Sequence, residues 1–231
     1  MQIEINIPAP CEKALEILER HGYEAYLVGG CVRDSILGRE PGDWDICTNA
    51  LPEEMIAAFA DYRLVLNGLK HGTVTVIIMH TAIEITTYRI DGEYEDNRHP
   101  KEVTFTSDLA LDLSRRDFTI NALAYNQGKG VVDCFGGLED LANGVIKAVG
   151  DPYKRFHEDG LRILRAVRFA CVLGFTYDER TKDAVRDCNY LLRNIATERI
   201  QVELNKILLS PNVRQGLEDM YQLGLYSYFL P

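Results

Sequence analysis

The pattern of apolar residues changes once along this chain of 231 residues, after the glycine pair Gly136-Gly137. Before that pair, short β-rich runs alternate with short helical segments. After it, apolar residues recur at helical spacing to the end of the chain. An α/β part followed by an all-helical part fits this change. The sequence therefore predicts an α+β fold, with one domain over residues 1–137 and a helical domain over residues 138–231.

The first part combines predicted strands with predicted helices. The strands are expected at 26–28, 44–46, 73–79, 83–88 and 131–133, the third and fourth as a hairpin. The helices are expected at 11–21, 32–37, 52–60 and 117–125. Residues 89–102 are polar and charged, which indicates a long loop. In the second part, helices are expected at 138–142, 152–173, 178–192, 197–209 and 213–224.

Charge and cysteine content limit the class of protein. The net charge of −10 argues against a broad nucleic-acid-binding surface, because phosphate contacts need Lys and Arg. No apolar run approaches the roughly 18 residues that span a bilayer, and we recognise no signal peptide at the N-terminus. The six scattered cysteines form no C-x-x-C pair, so neither structural zinc nor a disulfide framework is expected. We expect a cytoplasmic protein with no membrane partner.

A glycine pair lies between a predicted strand and a predicted helix. Gly29 and Gly30 let backbone N–H groups approach a ligand closely, and the start of the next helix favours phosphate. Arg33, one turn into that helix, can donate charge-assisted hydrogen bonds to the same phosphates. A glycine pair alone is equally typical of a tight turn. The segment therefore predicts a phosphate site only in combination with other residues.

Three carboxylates supply that combination. Asp43 and Asp45 are two residues apart, so on a strand their side chains point to the same face. Glu84 lies between two isoleucines on another predicted strand. Neighbouring carboxylates favour a cation between them, and Mg²⁺ binds through a few carboxylates plus phosphate oxygens. The alternative is a solvated acidic turn and an ordinary solvent-facing glutamate.

Several ordered motifs resemble one family. The segments LVGGCVRD (27–34), LGR (37–39) and DWD (43–45) are similar to the first motif of class II tRNA nucleotidyltransferases, the CCA-adding enzymes, and of the related bacterial poly(A) polymerases. Three further motifs are RRDFTINA at 115–122, DCFGG at 133–137 and RFHEDGLRILRAVRF at 155–169. The segment from Glu198 to Leu204 resembles the last helical motif. The resemblance implies a polymerase-β-like nucleotidyltransferase head, with a small mixed sheet flanked by helices, followed by a helical neck.

The resemblance also implies roles for site residues. In the first motif, Gly30 and Arg33 would bind the triphosphate, and Asp43 and Asp45 would bind metal. Together with Glu84, whose role is inferred from its place on the predicted strand, the two aspartates would hold two Mg²⁺ ions for catalysis. In the second motif, Arg116, Asp117 and Asn121 would contact phosphate and ribose. Members of the family usually continue with further helical domains that grip tRNA, so the main RNA-binding surface is expected outside residues 1–231.

A run of charged residues at steps of three marks the fourth motif. Asp159, Arg162, Arg165 and Arg168 would share one side of a helix, which is also typical of a solvated basic face. The many apolar residues between them predict a largely buried helix instead. By resemblance, Asp159 would accept a hydrogen bond from an exocyclic amine and Arg162 would donate to the adjacent ring nitrogen. Cytosine and adenine match that pattern, whereas uracil and guanine reverse it. Arg165 and Arg168 would hold phosphates or brace the pair.

These features together predict an enzyme that adds C and A to the tRNA 3′ end from CTP and ATP, with release of pyrophosphate. The expected partners are both nucleotides and tRNA, with no DNA. The loop at 89–102 resembles one that is shortened in members adding only the two cytidines, so it favours CCA addition or addition of the terminal A. An enzyme that adds only A, a poly(A) polymerase and a non-catalytic nucleotide- or RNA-binding module remain as alternatives.

Overall fold

Seven strands form one mixed sheet in the first of two compact units. The computed structural model describes residues 3–92 and 103–229. Within them, the first unit contains residues 3–91, Val103–Arg116 and Asn121–Gly137, and the second contains Gly92, Asp117–Ile120 and residues 138–229. The predicted loop at 89–102 falls mostly outside the described residues.

The described helices of the first unit include the three that the sequence predicts at 11–21, 32–37 and 52–60, together with one that it does not. They are α1 (Ala9–Arg20), α2 (Gly30–Ile36), α3 (Pro52–Ala58) and α4 (Leu109–Ser114). The strands are β1 (Ala25–Val28), β2 (Asp45–Thr48), β3 (Arg63–Val65), β4 (Thr73–Ile78), β5 (Thr81–Thr87), β6 (Arg89–Asp91), β7 (Val103–Phe105), β8 (Leu123–Asn126) and β9 (Gly130–Asp133). The order in the main sheet is β3-β4-β5-β2-β1-β8-β9, and β6 pairs with β7 separately. Among the main-sheet pairs, β2 with β5 is parallel and the others are antiparallel, which confirms the mixed sheet.

The predicted hairpin is confirmed as β4 and β5. Val74, Val76 and Ile78 are buried while the residues between them are half-buried, which is the alternation that a strand with one core face requires. The turn consists of Met79 and His80, both with positive φ, of 49° and 63°. Two such residues form the tight turn that suits the twist of a hairpin.

One predicted helix of the first part is wrong. Residues 117–125 contain a short 3₁₀ helix, Thr119–Asn121, followed by strand β8. All four residues of β8 are buried, and β8 pairs with β1 on one side and β9 on the other. A strand buried on both faces has no alternating pattern, so periodicity cannot separate it from a buried helix. The strands β3, β6 and β7 and the helix α4 were not predicted.

The second unit is mainly helical, as the sequence predicts. Its helices are α5 (Gly137–Asn143), α6 (Pro152–Glu158), α7 (Leu161–Leu173), α8 (Glu179–Asp187), α9 (Thr197–Leu208) and α10 (Val213–Gln222). Two short strands, β10 (Val145–Ile146) and β11 (Thr176–Tyr177), form a parallel ladder beside them. Ten of the thirteen residues of α7 are buried, which confirms that this helix lies in the core rather than on a solvated face.

The continuous helix predicted at 152–173 is wrong, because the chain breaks between α6 and α7. Asp159 has an extended backbone, with φ −143° and ψ 105°, and its Oδ1 accepts a hydrogen bond from the Leu161 N–H at 3.1 Å. The aspartate thus satisfies a free N–H at the start of α7, and the break lies at Asp159 itself, since Gly160 has helical φ and ψ angles. The predicted helix at 178–192 also ends early, at Asp187, and a 3₁₀ helix, Asn189–Asn194, follows.

Candidate active site

Strand pairing brings two of the predicted carboxylates side by side. In the parallel ladder of β2 and β5, Asp45 is the direct partner of Glu84. Both side chains are exposed, whereas Ile83 and Ile85 on either side of Glu84 are buried. Asp43 lies two residues before Asp45, at the approach to β2. All three carboxylates line one cleft of about 630 Å³.

The surroundings of Asp45 disfavour the charged form of its carboxyl group. Partial desolvation raises the pKa of Asp45. The guanidinium of Arg116 acts in the opposite direction, and the negative charges of Glu84 and Asp43 raise the pKa further. Carboxylates in this situation are stabilised by a bound cation.

The donor set fits a hard divalent cation that also binds the substrate. No group of three His, Cys, Asp or Glu side chains in residues 3–92 and 103–229 is arranged to hold an ion by itself. Mg²⁺ does not require such a cage, because it is commonly held by one or two carboxylates, water and substrate phosphate oxygens. Asp43, Asp45 and Glu84 offer oxygen ligands on one open cleft and therefore fit that mode.

The predicted phosphate segment begins at a strained glycine. Gly29 has φ +81° and ψ −128°, a conformation that essentially only glycine adopts, and α2 starts at the next residue. A Cβ at Gly29 would lie 2.9 Å from Nη1 of Arg116. The structure thus places Arg116, from the second predicted motif, directly against the glycine pair of the first.

Arg33 is buried and donates hydrogen bonds to other side chains of the first unit. Its Nε and Nη2 donate to the two carboxylate oxygens of Asp34, each at 2.8 Å. Its Nη1 donates to Oδ1 of Asn121 at 2.5 Å. The structure therefore links Arg33 to Asn121, two residues assigned to separate motifs.

We expect Gly29→Ala to impair both folding and activity. The backbone strain should lower the free energy of unfolding by about 1–3 kcal/mol, and the new methyl group must displace Arg116. Gly38→Ala is the matched control, since Gly38 has φ +67° but nothing within 4 Å of its Cβ position. Thermal unfolding and nucleotide transfer should be measured for both. Equal losses of transfer in the two variants would mean that Arg116 has no role beside the glycine pair.

In the second unit, arginines of α7 are paired with buried carboxylates. Arg165 donates from Nε to Oδ2 of Asp117 at 2.7 Å. Burial opposes the charge of Arg165, but the Asp117, Glu203 and Asp159 carboxylates outweigh it and raise the pKa of this guanidinium. Arg168 donates to Glu203 and stacks 3.9 Å from the ring centre of Phe169. Asp117 and Arg165 are therefore direct partners.

Asp159 and Arg162, the two residues assigned to base selection, each form hydrogen bonds with other residues of the second unit. The carboxylate of Asp159 accepts hydrogen bonds from both Nη atoms of Arg199, at 2.9 and 3.3 Å. Nη1 of Arg162 donates to Oε2 of Glu158 at 2.8 Å and to the Arg155 carbonyl oxygen at 3.1 Å. Arg155 also forms an ion pair with Glu158, at 2.8 Å.

Sequence reasoning did not identify four residues of these networks. They are Asp34, Glu158, Arg199 and Glu203. Asp34 and Glu158 stand beside residues that had been assigned roles, so adjacency was an available signal. Arg199 lies 40 positions from Asp159, and no local pattern indicates that pairing.

Comparison with models of protein families identifies the family of this chain. The family model described as the poly(A) polymerase head domain matches residues 25–147, more than half of the chain. A second model, described as the probable RNA- and SrmB-binding site of polymerase A, matches residues 174–231. The chain belongs to the tRNA nucleotidyltransferase and poly(A) polymerase family. Its head-domain match includes the glycine pair and all three carboxylates of the cleft.

Members of this family from several bacteria are similar along most of the chain. The CCA-adding enzyme of Limosilactobacillus reuteri (strain DSM 20016) is 50% identical over 219 residues, which are 95% of this chain and 54% of the relative. The enzyme of Anoxybacillus flavithermus is 49% identical over 214 residues, 93% of this chain and 53% of the relative. The chain therefore spans about half the length of these relatives.

Solved structures of the family share the fold. The Bacillus stearothermophilus CCA-adding enzyme in complex with CTP matches with a TM-score of 0.87 and 41% identity, over 96% of this chain and 54% of that one. The Thermotoga maritima CCA-adding enzyme complexed with tRNA matches with a TM-score of 0.81 and 28% identity, over 97% of this chain and 53% of that one. Among the described residues of the present protein, none of the helices is long and apolar enough to cross a membrane.

Proposed function

We propose that this protein is the catalytic and nucleotide-selecting part of a CCA-adding enzyme. It transfers C and A from CTP and ATP to the tRNA 3′ end in the cytoplasm and releases pyrophosphate. Residues 1–137 act as the catalytic head and residues 138–231 as the neck. The observation that carries the proposal is the pairing of Asp45 with Glu84 on parallel strands, with Asp43 on the same cleft.

The residues of the head divide the work of the transfer. Asp43 and Asp45 would hold two Mg²⁺ ions, and Glu84 adds a third carboxylate next to Asp45. When bound, the ions supply activation of the attacking 3′-hydroxyl and neutralisation of the triphosphate. Arg116 and the backbone N–H groups after Gly29 hold the phosphates, and Arg33 braces the ribose contact through Asn121.

Asp159 and Arg162 of the neck select the base. A carboxylate has about four lone-pair sites, so Asp159 can keep Arg199 and still accept from the amine of cytosine or adenine. The pairing with Arg199 fixes the direction of its oxygens. Uracil and guanine would present an acceptor to Asp159 and a donor to Arg162, which would leave polar groups unpaired and so disfavour UTP and GTP. Arg165 holds Asp117 in position. Arg168, on the same helix as Arg165, links α7 to α9 through Glu203.

Stepwise extension tests the proposal. tRNAs that lack CCA, end in C or end in CC are incubated with Mg²⁺ and each nucleotide separately. We expect C to be added to the first two, A to be added once to the third, and no extension with UTP or GTP. A DNA primer of the same sequence should not be extended. Failure to extend any tRNA, with nucleotide binding retained, would favour a non-catalytic binding module.

Two related activities would give different products in the same experiment. An enzyme that adds only A would extend only the tRNA ending in CC. A poly(A) polymerase would continue beyond one A, whereas a CCA-adding enzyme stops there. The presence of residues 89–102, which resemble the loop shortened in enzymes that add only cytidines, favours addition that includes the terminal A.

A further inference from the structure

A fully buried carboxylate lies behind the phosphate-binding arginine. Asp112 is on α4, the helix that sequence analysis did not predict, and its exposed fraction is 0%. Isolated charges are rarely buried, because they lose their hydration, and those that are buried have partners. Asp112 has its partners on one oxygen: Oδ1 accepts from Arg115 Nε at 2.9 Å and from the Arg89 backbone N–H at 3.2 Å.

The second oxygen of this carboxylate faces another arginine. Oδ2 of Asp112 accepts no hydrogen bond within the described part of the chain, and Nη2 of Arg116 lies 3.6 Å from it. That distance is an ion pair rather than a hydrogen bond. Nη1 of the same guanidinium lies against Gly29, 2.9 Å from the position of a Cβ there. Arg116 therefore stands between a fixed negative charge and the glycine pair.

We propose that Asp112 is a positioning residue, which holds the guanidinium of Arg116 against Gly29 so that Arg116 meets the triphosphate of the incoming nucleotide. The proposal rests on the function proposed above. Arg115 saturates the first oxygen of Asp112, so the second oxygen remains for Arg116. A guanidinium that is held before the nucleotide arrives loses less side-chain entropy on binding, and the nucleotide binds more tightly.

Asp112→Asn tests this arrangement with little change of shape. Asparagine keeps an acceptor for Arg115 and for the Arg89 N–H but removes the charge that faces Arg116. We expect the dissociation constant of CTP with Mg²⁺, measured by calorimetry, to rise on the order of tenfold. KM for CTP should rise by the same factor, whereas kcat should change less. Inhibition by tripolyphosphate, a probe of the phosphate site alone, should weaken by the same factor. Inhibition by cytidine should stay unchanged.

Two comparisons separate positioning from a general loss of structure. Asp108→Ala removes the N-cap of the same helix, where Oδ1 of Asp108 accepts from the Ala110 N–H at 2.8 Å. It should lower the stability of the protein without weakening inhibition by tripolyphosphate. In an Arg116→Ala background, Asp112→Asn should have no further effect on CTP binding. Additive effects of the two substitutions, or unchanged tripolyphosphate inhibition in Asp112→Asn, would overturn the proposal.

A second variant serves if Asp112→Asn does not fold. Arg116→Lys keeps the charge but lacks the fork that reaches Asp112 and phosphate together, so CTP should bind as weakly as to Arg116→Ala. Binding at the wild-type level would contradict the positioning role. Failure of the function proposed above has a different signature. In that case the wild-type protein would extend no tRNA. This result does not depend on whether Asp112→Asn binds tripolyphosphate more weakly than the wild type.

Discussion

Asp45→Asn should reduce nucleotide transfer by on the order of a thousandfold or more, with the fold intact. The amide has the shape of the carboxylate but lacks the charge that a bound cation requires. Ions at such sites contribute several kcal/mol to the transition state, and each 1.36 kcal/mol is a tenfold change in rate. The side chain is exposed at the first position of β2, so its replacement leaves the core unchanged.

Single-turnover transfer of A to a tRNA ending in CC is the measurement, together with thermal unfolding. Asp61→Asn is the matched control, because Asp61 is an exposed carboxylate of the same unit that does not line the cleft. It should transfer at the wild-type rate. Transfer by Asp45→Asn within tenfold of wild type would contradict the metal role of Asp45. The transfer rates of Asp43→Asn and Glu84→Gln then show how much each of the other two carboxylates contributes.

Arg162→Ala should relax the choice of nucleotide more than it slows transfer. If Arg162 donates to the ring nitrogen of cytosine or adenine, its removal deletes the donor that uracil and guanine leave unpaired. A site that hydrogen-bonds its substrate can discriminate by 10⁴–10⁵, so the preference for CTP over UTP should fall by about a hundredfold. The ratio of kcat/KM for the two nucleotides is the measurement. Continued exclusion of UTP would make the selection hypothesis wrong.

A neighbouring arginine offers a control with the same structural effect. Arg155 and Arg162 both pair with Glu158, each at 2.8 Å, and both are largely buried. Either substitution leaves Glu158 with one of these two guanidinium groups, so the two variants should lose similar stability. Arg155→Ala should nevertheless keep the preference for CTP over UTP. A loss of preference in both would assign selection to the Glu158 network rather than to Arg162.

The segments proposed to bind phosphate and metal were chosen from local sequence. Gly29-Gly30 between a strand and a helix, and two aspartates two residues apart, are patterns within about twenty positions of each other. The alternation of β4 and β5 also predicted where Glu84 would point. Each of these inferences depends on backbone geometry over a few residues, which a sequence states directly.

The errors arose where burial removed the pattern or where a short break was overlooked. Strand β8 is buried throughout, so its apolar run resembled a helix. The break at Asp159-Gly160 carries the usual signs of a helix boundary, an aspartate cap and a glycine, inside a long helical pattern. The helix that carries Asp112 is only six residues long, too short for periodicity to reveal.

The sequence alone determined the division into an α/β part and a helical part, and it determined which residues could bind phosphate and metal. The tertiary structure decided which of them meet. Asp45 pairs with Glu84 across 39 positions of chain, and Asp159 pairs with Arg199 across 40. Local periodicity follows from the geometry of single helices and strands. The pairing of distant segments depends instead on how the whole core packs, because register and ion pairing are set by burial of faces that belong to different elements.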